Sequence, residues 1–386
     1  MRKFLARIPY LSILVIFSVL SVGGLVYAYQ MIGSLNNSIA SEQKQLDETK
    51  QTLVTVQSED QYVKNKTLEA TISAIEKTYG TTVKMYEEVL SLKEFTKDGT
   101  IFDGSISAVL TFLSKREYAS ASAMLDTIAR DTKALRAKLA SQAQSIPANV
   151  VADNTLPGGG FRRQSVKNEF GTYLVDVIAA DLSSTRAIVD TASDKDCGND
   201  CPTLSLGEYV SRNGGYAGVN GSYFCPKEYP SCAGKTNTFD TLLMNKNKTY
   251  FNSDNNVYST VPAVIFLGGS ARFVGKSLEW GRDTGADGVL ANQPLLLMGG
   301  NVQFGGDDDP KKGSRGSRSF VGSRGSTVYI GVVHGATVAE VAHVLKAMGV
   351  ENAINLDSGG SVALWYNGYK AGPGRNIPNA IVLVRR

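Results

Sequence analysis

The chain opens with a nearly uncharged apolar run from residue 8 to residue 29. About 20 apolar residues are enough for one membrane-spanning helix. Basic residues precede the run, so the positive-inside rule leaves the N-terminus in the cytoplasm and the remaining chain outside. The segment Val26-Tyr27-Ala28 also fits the cleavage site of a signal peptide. Residues 1–30 are therefore a transmembrane anchor or a signal segment, and both predict an exported protein.

Residues 31–145 have the pattern of a helical region. One apolar series has the seven-residue period of a coiled-coil seam, and a second has the three/four spacing of one helix face. A continuous helix of roughly 60 residues would be about 90 Å long. Two more helices are expected between residues 106 and 143, with a break near 115–118. The region is either a stalk that forms a homo-oligomer or a bundle that packs on itself. The first series is Ile32, Ile39, Leu46 and Leu53, and the second is Leu68, Ile72, Ile75, Tyr79, Val83, Tyr86 and Leu90.

Residues 146–160 contain Pro and a run of Gly without periodicity, which predicts a linker. From residue 161 to residue 386 the pattern becomes β-rich with interspersed helices. A strand, a helix and a strand near the C-terminus, with antiparallel-looking strands before them, predict an α+β domain with a mixed sheet and flanking helices. The expected strands are 172–179, 187–189, 261–267, 327–333, 353–356 and 380–384, and the expected helices are 204–212 and 337–348.

Composition and motif content exclude several classes of protein. Of the 386 residues, 42% are apolar and 20% are charged, so a wholly disordered chain is excluded. The 40 basic and 36 acidic residues give a net charge of +4, which is too balanced to predict a nucleic-acid partner. The sequence contains no P-loop, G-x-S-x-G elbow, H-E-x-x-H helix or G-x-G-x-x-G turn.

The four cysteines lie within one short stretch: Cys197, Cys201, Cys225 and Cys232. An even, clustered set in an exported chain indicates disulfides. Of the three possible pairings, we favour the local one, which joins the first cysteine to the second and the third to the fourth. The alternative is a four-cysteine zinc site, although the spacings do not match a zinc ribbon.

Polar and glycine-containing segments adjoin several predicted strands, where sheets commonly bind ligands. The segments 357–361 and 220–224 follow short apolar strands, and 316–322 places an arginine in a Gly/Ser-rich stretch before a strand. Each has a plain structural explanation as well. Asp357 fits a tight turn, Asn220-Gly221 fits a hairpin turn, and the arginine fits a solvated surface charge.

Six segments, taken in order, resemble the phosphodiester glycosidase family, and the resemblance covers residues 165–386. Two positions depart from the family pattern. Ser358 stands where the family usually has Gly, and His334 stands where an Asp often ends the preceding strand. The six segments are Asn220 to Phe224, Pro294 to Gly299, Arg318 to Gly322, Gly335 to Ala342, Asn355 to Ser361 and Arg375 to Ala380.

The resemblance implies hydrolysis of a sugar-1-phosphodiester at the anomeric carbon, with a phosphoglycan or nucleotide-sugar-like substrate. A phosphate monoester is a good leaving group, so one carboxylate with cationic stabilisation suffices, where most glycosidases use two carboxylates. We expect Asp357 to act as nucleophile or general base, and Arg318 to neutralise the phosphate. Asn220 is expected to hydrogen-bond the substrate, and His334 to orient water or protonate the phosphate. Further substrate contacts are expected at Gly221, Ser222, Gly359, Gly360, Ser361 and Arg375.

This chemistry requires no cofactor and no metal. Asp307-Asp308-Asp309 raises the alternative of a calcium site, but consecutive acidic residues before Pro310 fit a solvated loop better. Because His334 replaces a carboxylate, the alternative function is a catalytically degenerate phosphoglycan-binding module on a coiled-coil envelope protein. In both cases we expect a membrane-anchored protein on the extracytoplasmic side, at the cell surface.

Overall fold

The computed structural model describes residues 10–93, 96–141, 146–252 and 260–386. The start of the predicted anchor, before residue 10, lies outside the described residues. The chain forms two compact units, one ending at Lys77 and the other running from Thr78 to Arg386. The second unit therefore contains helical segments as well as the β-rich part.

The N-terminal half of the helical region consists of helix α1, Tyr10–Ser58, and helix α2, Asp60–Lys93. In the part of the chain that the structure describes, α1 alone is long and apolar enough to cross a membrane; a signal sequence passes the same test. The two helices are separated at Glu59. There the backbone N–H donates to the Val56 carbonyl, three residues back, which interrupts the regular four-residue hydrogen-bond ladder.

The end of α2 packs with helix α3, Asp103–Ser114, and helix α4, Tyr118–Ser141, so the two helices and the break predicted here are confirmed. A six-residue 3-10 helix, Lys97–Phe102, leads into α3. Val89, Leu92, Val109 and Ile128 are among the buried residues between these helices. This segment of the helical region forms a bundle that packs on itself.

Among its described residues, the β-rich part contains three sheets and three further α-helices. The large sheet has the order β1-β2-β3-β14-β13-β15-β11-β12, and the two five-stranded sheets have the orders β7-β6-β10-β8-β9 and β17-β16-β5-β18-β4. The helices are α5, Leu206–Arg212, α6, Pro310–Gly313, and α7, Val338–Met348. The strands are β1 Val151–Ala152, β2 Gly160–Asn168, β3 Gly171–Asp181, β4 Thr185–Thr191, β5 Ala217–Asn220, β6 Leu243–Met244, β7 Tyr250–Phe251, β8 Ala263–Leu267, β9 Ser270–Val274, β10 Gly288–Ala291, β11 Leu295–Met298, β12 Asn301–Val302, β13 Gly316–Arg324, β14 Thr327–Ala336, β15 Asn352–Ser358, β16 Leu364–Tyr366, β17 Tyr369–Ala371 and β18 Asn379–Arg385.

These elements stack as layers. One face of the large sheet packs against α7, and the other face packs against the two smaller sheets through residues such as Ile330, Leu364 and Leu290. Helix α5 covers the far side of the sheet that contains β5 and β18. The main core therefore lies between sheets, and strands from two of these sheets can end side by side.

The predicted α+β class with a mixed sheet, flanking helices and a helical N-terminal region is confirmed. The predicted linker contains the short strand β1, and β2 begins at its last residue. The predicted domain limits stay predictions, and the division between the compact units falls instead in α2.

Candidate active site

A cavity of ≈ 390 Å³ lies where β5, β13 and β15 meet loops from other parts of the chain. It is lined by Asp357, Ser358, Gly359 and Ser361, and by Arg318 at the start of β13. Other lining residues come from the loop after β5, from the loop around α6, from Arg375 and from α2. The structure therefore brings together five of the residues that the sequence singled out: Asp357, Arg318, Gly359, Ser361 and Arg375.

Asp357 lies near the end of β15 and its carboxyl group faces this cavity. One carboxyl oxygen accepts the N–H of Ser358 at 2.9 Å. Loss of hydration raises the pKa of the Asp357 carboxyl to about 7; hydrogen bonds from Ser361 and the Ser358 N–H oppose the rise, and the nearby charge of Asp240 adds to it. Near neutral pH the Asp357 carboxyl group is therefore present in both its protonated and its ionised form.

The Asn220 side chain hydrogen-bonds the backbone of Asp357 and does not line the cavity. Its amide nitrogen donates to the Asp357 carbonyl at 2.7 Å, and its amide oxygen accepts the Ser319 hydroxyl at 2.7 Å and the Ala363 N–H at 3.1 Å. Asn220 is fully buried. The expected contact of the Asn220 side chain with a substrate stays a prediction, and in this structure both polar groups of its amide bind protein groups.

The segment Asn220-Gly221-Ser222 is held in the same way. The Gly221 carbonyl accepts the Asp357 N–H at 3.0 Å, and the Ser222 N–H donates to the Asn379 side chain at 2.9 Å. A Cβ at Gly221 would lie 1.7 Å from the Asn379 amide oxygen, so only glycine fits. Gly221 and Ser222 are not among the cavity-lining residues; they position the end of the strand, and the substrate contacts expected of them stay predictions.

Gly360 does not line the cavity, and the substrate contact expected of it stays a prediction. A Cβ there would lie 2.4 Å from an Arg375 guanidinium nitrogen, so the glycine leaves room for the arginine to pass over it. The Arg375 N–H donates to the Gly360 carbonyl at 2.7 Å, and its guanidinium lies 3.4 Å from the Glu228 carboxylate. Gly360 therefore positions Arg375, and it is Arg375 that lines the cavity.

The cavity is rich in charge. Among the described residues that line it are four basic side chains, Lys311, Lys312, Arg318 and Arg375, and three carboxylates, Asp240, Asp309 and Asp357. Arg318 is buried and donates to the Lys311 carbonyl at 2.8 Å and the Ala336 carbonyl at 3.2 Å, and burial lowers its pKa. Arg318 therefore holds the loop that carries Lys311 as well as adding positive charge to the cavity wall.

Sequence reasoning missed Asp240 and Tyr229, which line the cavity. An antiparallel bridge between Phe224 and Phe239 sets the Asp240 N–H 3.2 Å from the Tyr223 carbonyl. Loss of hydration raises the pKa of Asp240 even though the residue is exposed. No local pattern marks an isolated Asp after a phenylalanine, because the bridge joins segments that are distant along the chain. The aromatic residues that recur in 223–229 were the sequence signal that could have identified Tyr229 as a site residue.

The disulfide prediction is confirmed. Cys197 pairs with Cys201 and Cys225 with Cys232, with Cα–Cα separations of 5.7 and 5.4 Å. Both cysteines of the second pair line the cavity. This second disulfide therefore closes a loop, residues 225–232, that forms one side of the site.

His334 lies away from the cavity lining. Its Nε2 is 2.9 Å from an Asp176 carboxyl oxygen and its Nδ1 is 3.0 Å from the Ser317 hydroxyl. Asp176 is fully buried and also accepts two hydrogen bonds from Arg163, at 2.6 and 2.7 Å. Both ring nitrogens of His334 thus have partners on the large sheet, and the role expected of His334 at the substrate stays a prediction.

The residues considered for calcium bind protein groups. The Asp309 carboxylate accepts the Lys311 N–H at 2.8 Å at the start of α6, and the Asp307 carboxylate pairs with Lys312. The described residues contain no group of three or more His, Cys, Asp or Glu side chains that could hold a metal ion. The absence of a cofactor stays a prediction.

Comparison with known proteins finds a family match over part of the chain. Residues 213–384 match the model of the phosphodiester glycosidase family. No curated protein matches the chain. Among the similar solved structures is a hypothetical protein from Synechocystis, with 12% identity and a TM-score of 0.44; the match covers 58% of this chain and 62% of that one. Another is the catalytic domain of zebrafish N-acetylglucosamine-1-phosphodiester alpha-N-acetylglucosaminidase, auto-inhibited by its pro-peptide. It has 16% identity and a TM-score of 0.47, and the match covers 61% of this chain and 87% of that one.

The chain thus spans 62% of the length of the Synechocystis protein. The matched residues contain Asp357, Arg318, Asp240 and Arg375, so most of the cavity lies inside the family segment. The resemblance to the phosphodiester glycosidase family is therefore confirmed for residues 213–384 of this chain.

Proposed function

We propose that this protein is a hydrolase that cleaves sugar-1-phosphodiesters at the anomeric carbon. The observation that carries the proposal is that Asp357, with its raised pKa, lies in one cavity together with four basic side chains. A phosphodiester bears one negative charge and its phosphomonoester product bears up to two. The basic side chains would stabilise the charge that grows on the leaving phosphate.

In the proposed reaction, a water oxygen forms a bond to the anomeric carbon and the bond from that carbon to the phosphate oxygen breaks. The electron pair leaves with the phosphomonoester, and the proton from water is taken by a carboxylate. Asp357 acts as the general base, or as a nucleophile whose sugar ester water then hydrolyses. Arg375, Lys311 and Arg318 face the departing phosphate.

Asp240 is proposed as the second carboxylate of the site. It lines the same cavity and its charge raises the pKa of Asp357, so the two groups are electrostatically coupled. Two coupled carboxyl groups separate their proton affinities, as in other hydrolases. The departure of His334 from the family pattern does not weaken the proposal, because that side chain lies outside the cavity lining.

We further propose that the chain is membrane-anchored and extracytoplasmic, with phosphoglycans or related sugar phosphodiesters as substrates. The apolar stretch of α1 and the two disulfides support export. The name of the zebrafish enzyme specifies N-acetylglucosamine-1-phosphodiesters. Esters of this class are therefore the first substrates to test.

The test measures release of free sugar by the full-length chain in detergent micelles, on a panel of sugar-1-phosphodiesters and nucleotide sugars. Asp357→Asn should lower kcat by about 10²–10⁴-fold, because it removes the group that accepts the proton. Asp240→Asn should also lower kcat. Asp308→Asn is the matched control, since this exposed neighbour does not line the cavity.

Sugar release that persists in Asp357→Asn would contradict the assignment of that residue. A folded wild-type chain that binds the esters without releasing sugar would instead identify the phosphoglycan-binding module.

A further inference from the structure

Helix α2 contributes directly to the wall of the cavity. Ser91 lies near its C-terminal end, is buried, and lines the cavity together with residues of the family segment. Its hydroxyl hydrogen-bonds the phenol of Tyr229, another lining residue. The family match begins at residue 213, so this part of the wall is added from outside the matched segment.

One turn earlier, Glu87 holds the disulfide-closed loop. Its carboxylate accepts the N–H of Ser231 at 2.8 Å. Within the loop, the Cys232 N–H donates to the Tyr229 carbonyl at 2.9 Å, so the loop is tightly folded around Tyr229. Glu87 and the Cys225–Cys232 disulfide therefore both hold the 225–232 loop in place.

The position of α2 is itself secured by the bundle. Arg136 of α4 donates to the Glu88 carboxylate at 3.2 Å, and Val89 and Leu92 are buried in the bundle core. The positive charge of Arg136 is also close enough to lower the pKa of Arg318. The bundle is thus packed into the site and is more than a spacer.

The wall that results is aromatic and cationic. The Lys311 ammonium lies 4.8 Å from the centroid of the Tyr229 ring, and loss of hydration raises the pKa of Tyr229 to about 12. At ≈ 390 Å³, the cavity is near the lower end of the range of about 300–1,000 Å³ for ligand pockets. A sugar phosphate can fill most of this volume. The alcohol group that is esterified to the phosphate would then lie against the wall formed by Tyr229 and Ser91.

We propose that Ser91 and Glu87 determine which alcohol the phosphodiester can carry. Ser91 limits the space beside Tyr229, and Glu87 keeps the 225–232 loop closed over that space. The proposal rests on the proposed function, and it assigns the α2–α4 bundle to the aglycone side of the substrate site.

The experiment compares kcat/KM of the full-length chain for the methyl and benzyl diesters of N-acetylglucosamine 1-phosphate. Ser91→Leu fills the space, and the benzyl/methyl ratio should fall about tenfold. Glu87→Ala releases the loop, and the ratio should rise about tenfold. Glu87→Gln keeps an oxygen acceptor for the Ser231 N–H, and its ratio should stay within about twofold of the wild type.

Ser107→Leu is the matched control, because this exposed serine of α3 is not a lining residue. A merely structural role for Ser91 or Glu87 would lower both rates by one factor and leave the ratio unchanged. That result, in chains with wild-type circular dichroism, would overturn the proposal. If the folded wild type hydrolyses neither ester, the proposed function fails. Calorimetry then measures the dissociation constants of the methyl and benzyl esters. The benzyl/methyl affinity ratio should change in the variants as the kcat/KM ratio was expected to, and an unchanged ratio would overturn the proposal.

Discussion

At the scale of single residues, the chemistry of this site depends on how Asp357 is hydrated and supported. Its carboxyl group loses water contacts in the cavity and lies near the negative charge of Asp240, and both effects favour the protonated form. Hydrogen bonds from Ser358 and Ser361 act in the opposite sense. The balance sets a pKa of about 7, where a small environmental change alters the protonation state.

The pH dependence of the reaction follows from this pKa. If ionised Asp357 is the reactive form, log kcat/KM should rise by about one per pH unit below pH 7 and level off above it. The Asp240→Asn variant loses the neighbouring negative charge, so its midpoint should move to lower pH. Initial rates between pH 4.5 and 9 measure both effects. A rate that falls through pH 7 would mean that Asp357 acts as the protonated acid.

At the scale of elements, the site depends on the junction between β5 and β15, which belong to different sheets. Asn220 at the end of β5 bridges to the Asp357 carbonyl, and the Gly221 carbonyl accepts the Asp357 N–H. A buried amide that satisfies three partners can tie two strand ends together without a direct strand pairing. The backbone of Asp357 is therefore hydrogen-bonded on both sides although β15 ends there.

Removal of the Asn220 amide should therefore loosen the junction. In Asn220→Ala, three buried partners lose hydrogen bonds, and we expect the free energy of unfolding to fall by about 3 kcal/mol. Urea denaturation followed by tryptophan fluorescence is suitable, because both tryptophans, Trp280 and Trp365, lie in the β-rich part. The exposed Asn301→Ala is the control, with a change below about 0.5 kcal/mol. Equal stability of the two variants would contradict this role.

Local sequence signals predicted the helices of the β-rich part better than its shortest strands. Helix α7 begins at the capping box of Thr337 and Glu340 and ends at Gly349 in a left-handed conformation, and α5 begins at a capping box on Ser205. Such signals lie within a few residues of the helix end, so the predicted limits agree closely. The two-residue strands β6 and β7 have no comparable local signal, since their partners are distant in sequence.

At the scale of the whole molecule, association remains to be tested. Along α1 the side chains at heptad positions are exposed, with 57% of Ile39, 51% of Leu46 and 55% of Leu53 accessible. A stripe of this kind with a seven-residue period fits a second copy of the same helix. We propose that the chain forms a homo-oligomer through it.

A cysteine at this stripe should report the association. All four native cysteines are paired, so an introduced thiol is unique. Leu46→Cys should form a disulfide-linked dimer in oxidised membranes, because identical seam positions of parallel helices face each other. Gln51→Cys, on the opposite helix face, should crosslink at least fivefold less. Non-reducing gels measure the fraction, and equal crosslinking of the two variants would rule out the stripe as the seam.

The sequence alone determined the features that depend on local order: the apolar anchor or signal segment, the helical region, the limits of α7, and the motifs that include Asp357, Arg318 and Arg375. Each of these follows from spacing within a few residues or from a short motif. Only the tertiary structure decided that Asp240, Lys311 and Ser91 line one cavity while Asn220 and His334 face the protein. The physical reason is that the cavity forms where different sheets, a disulfide-closed loop and a bundle helix meet, and such long-range contacts leave no periodic pattern along the chain.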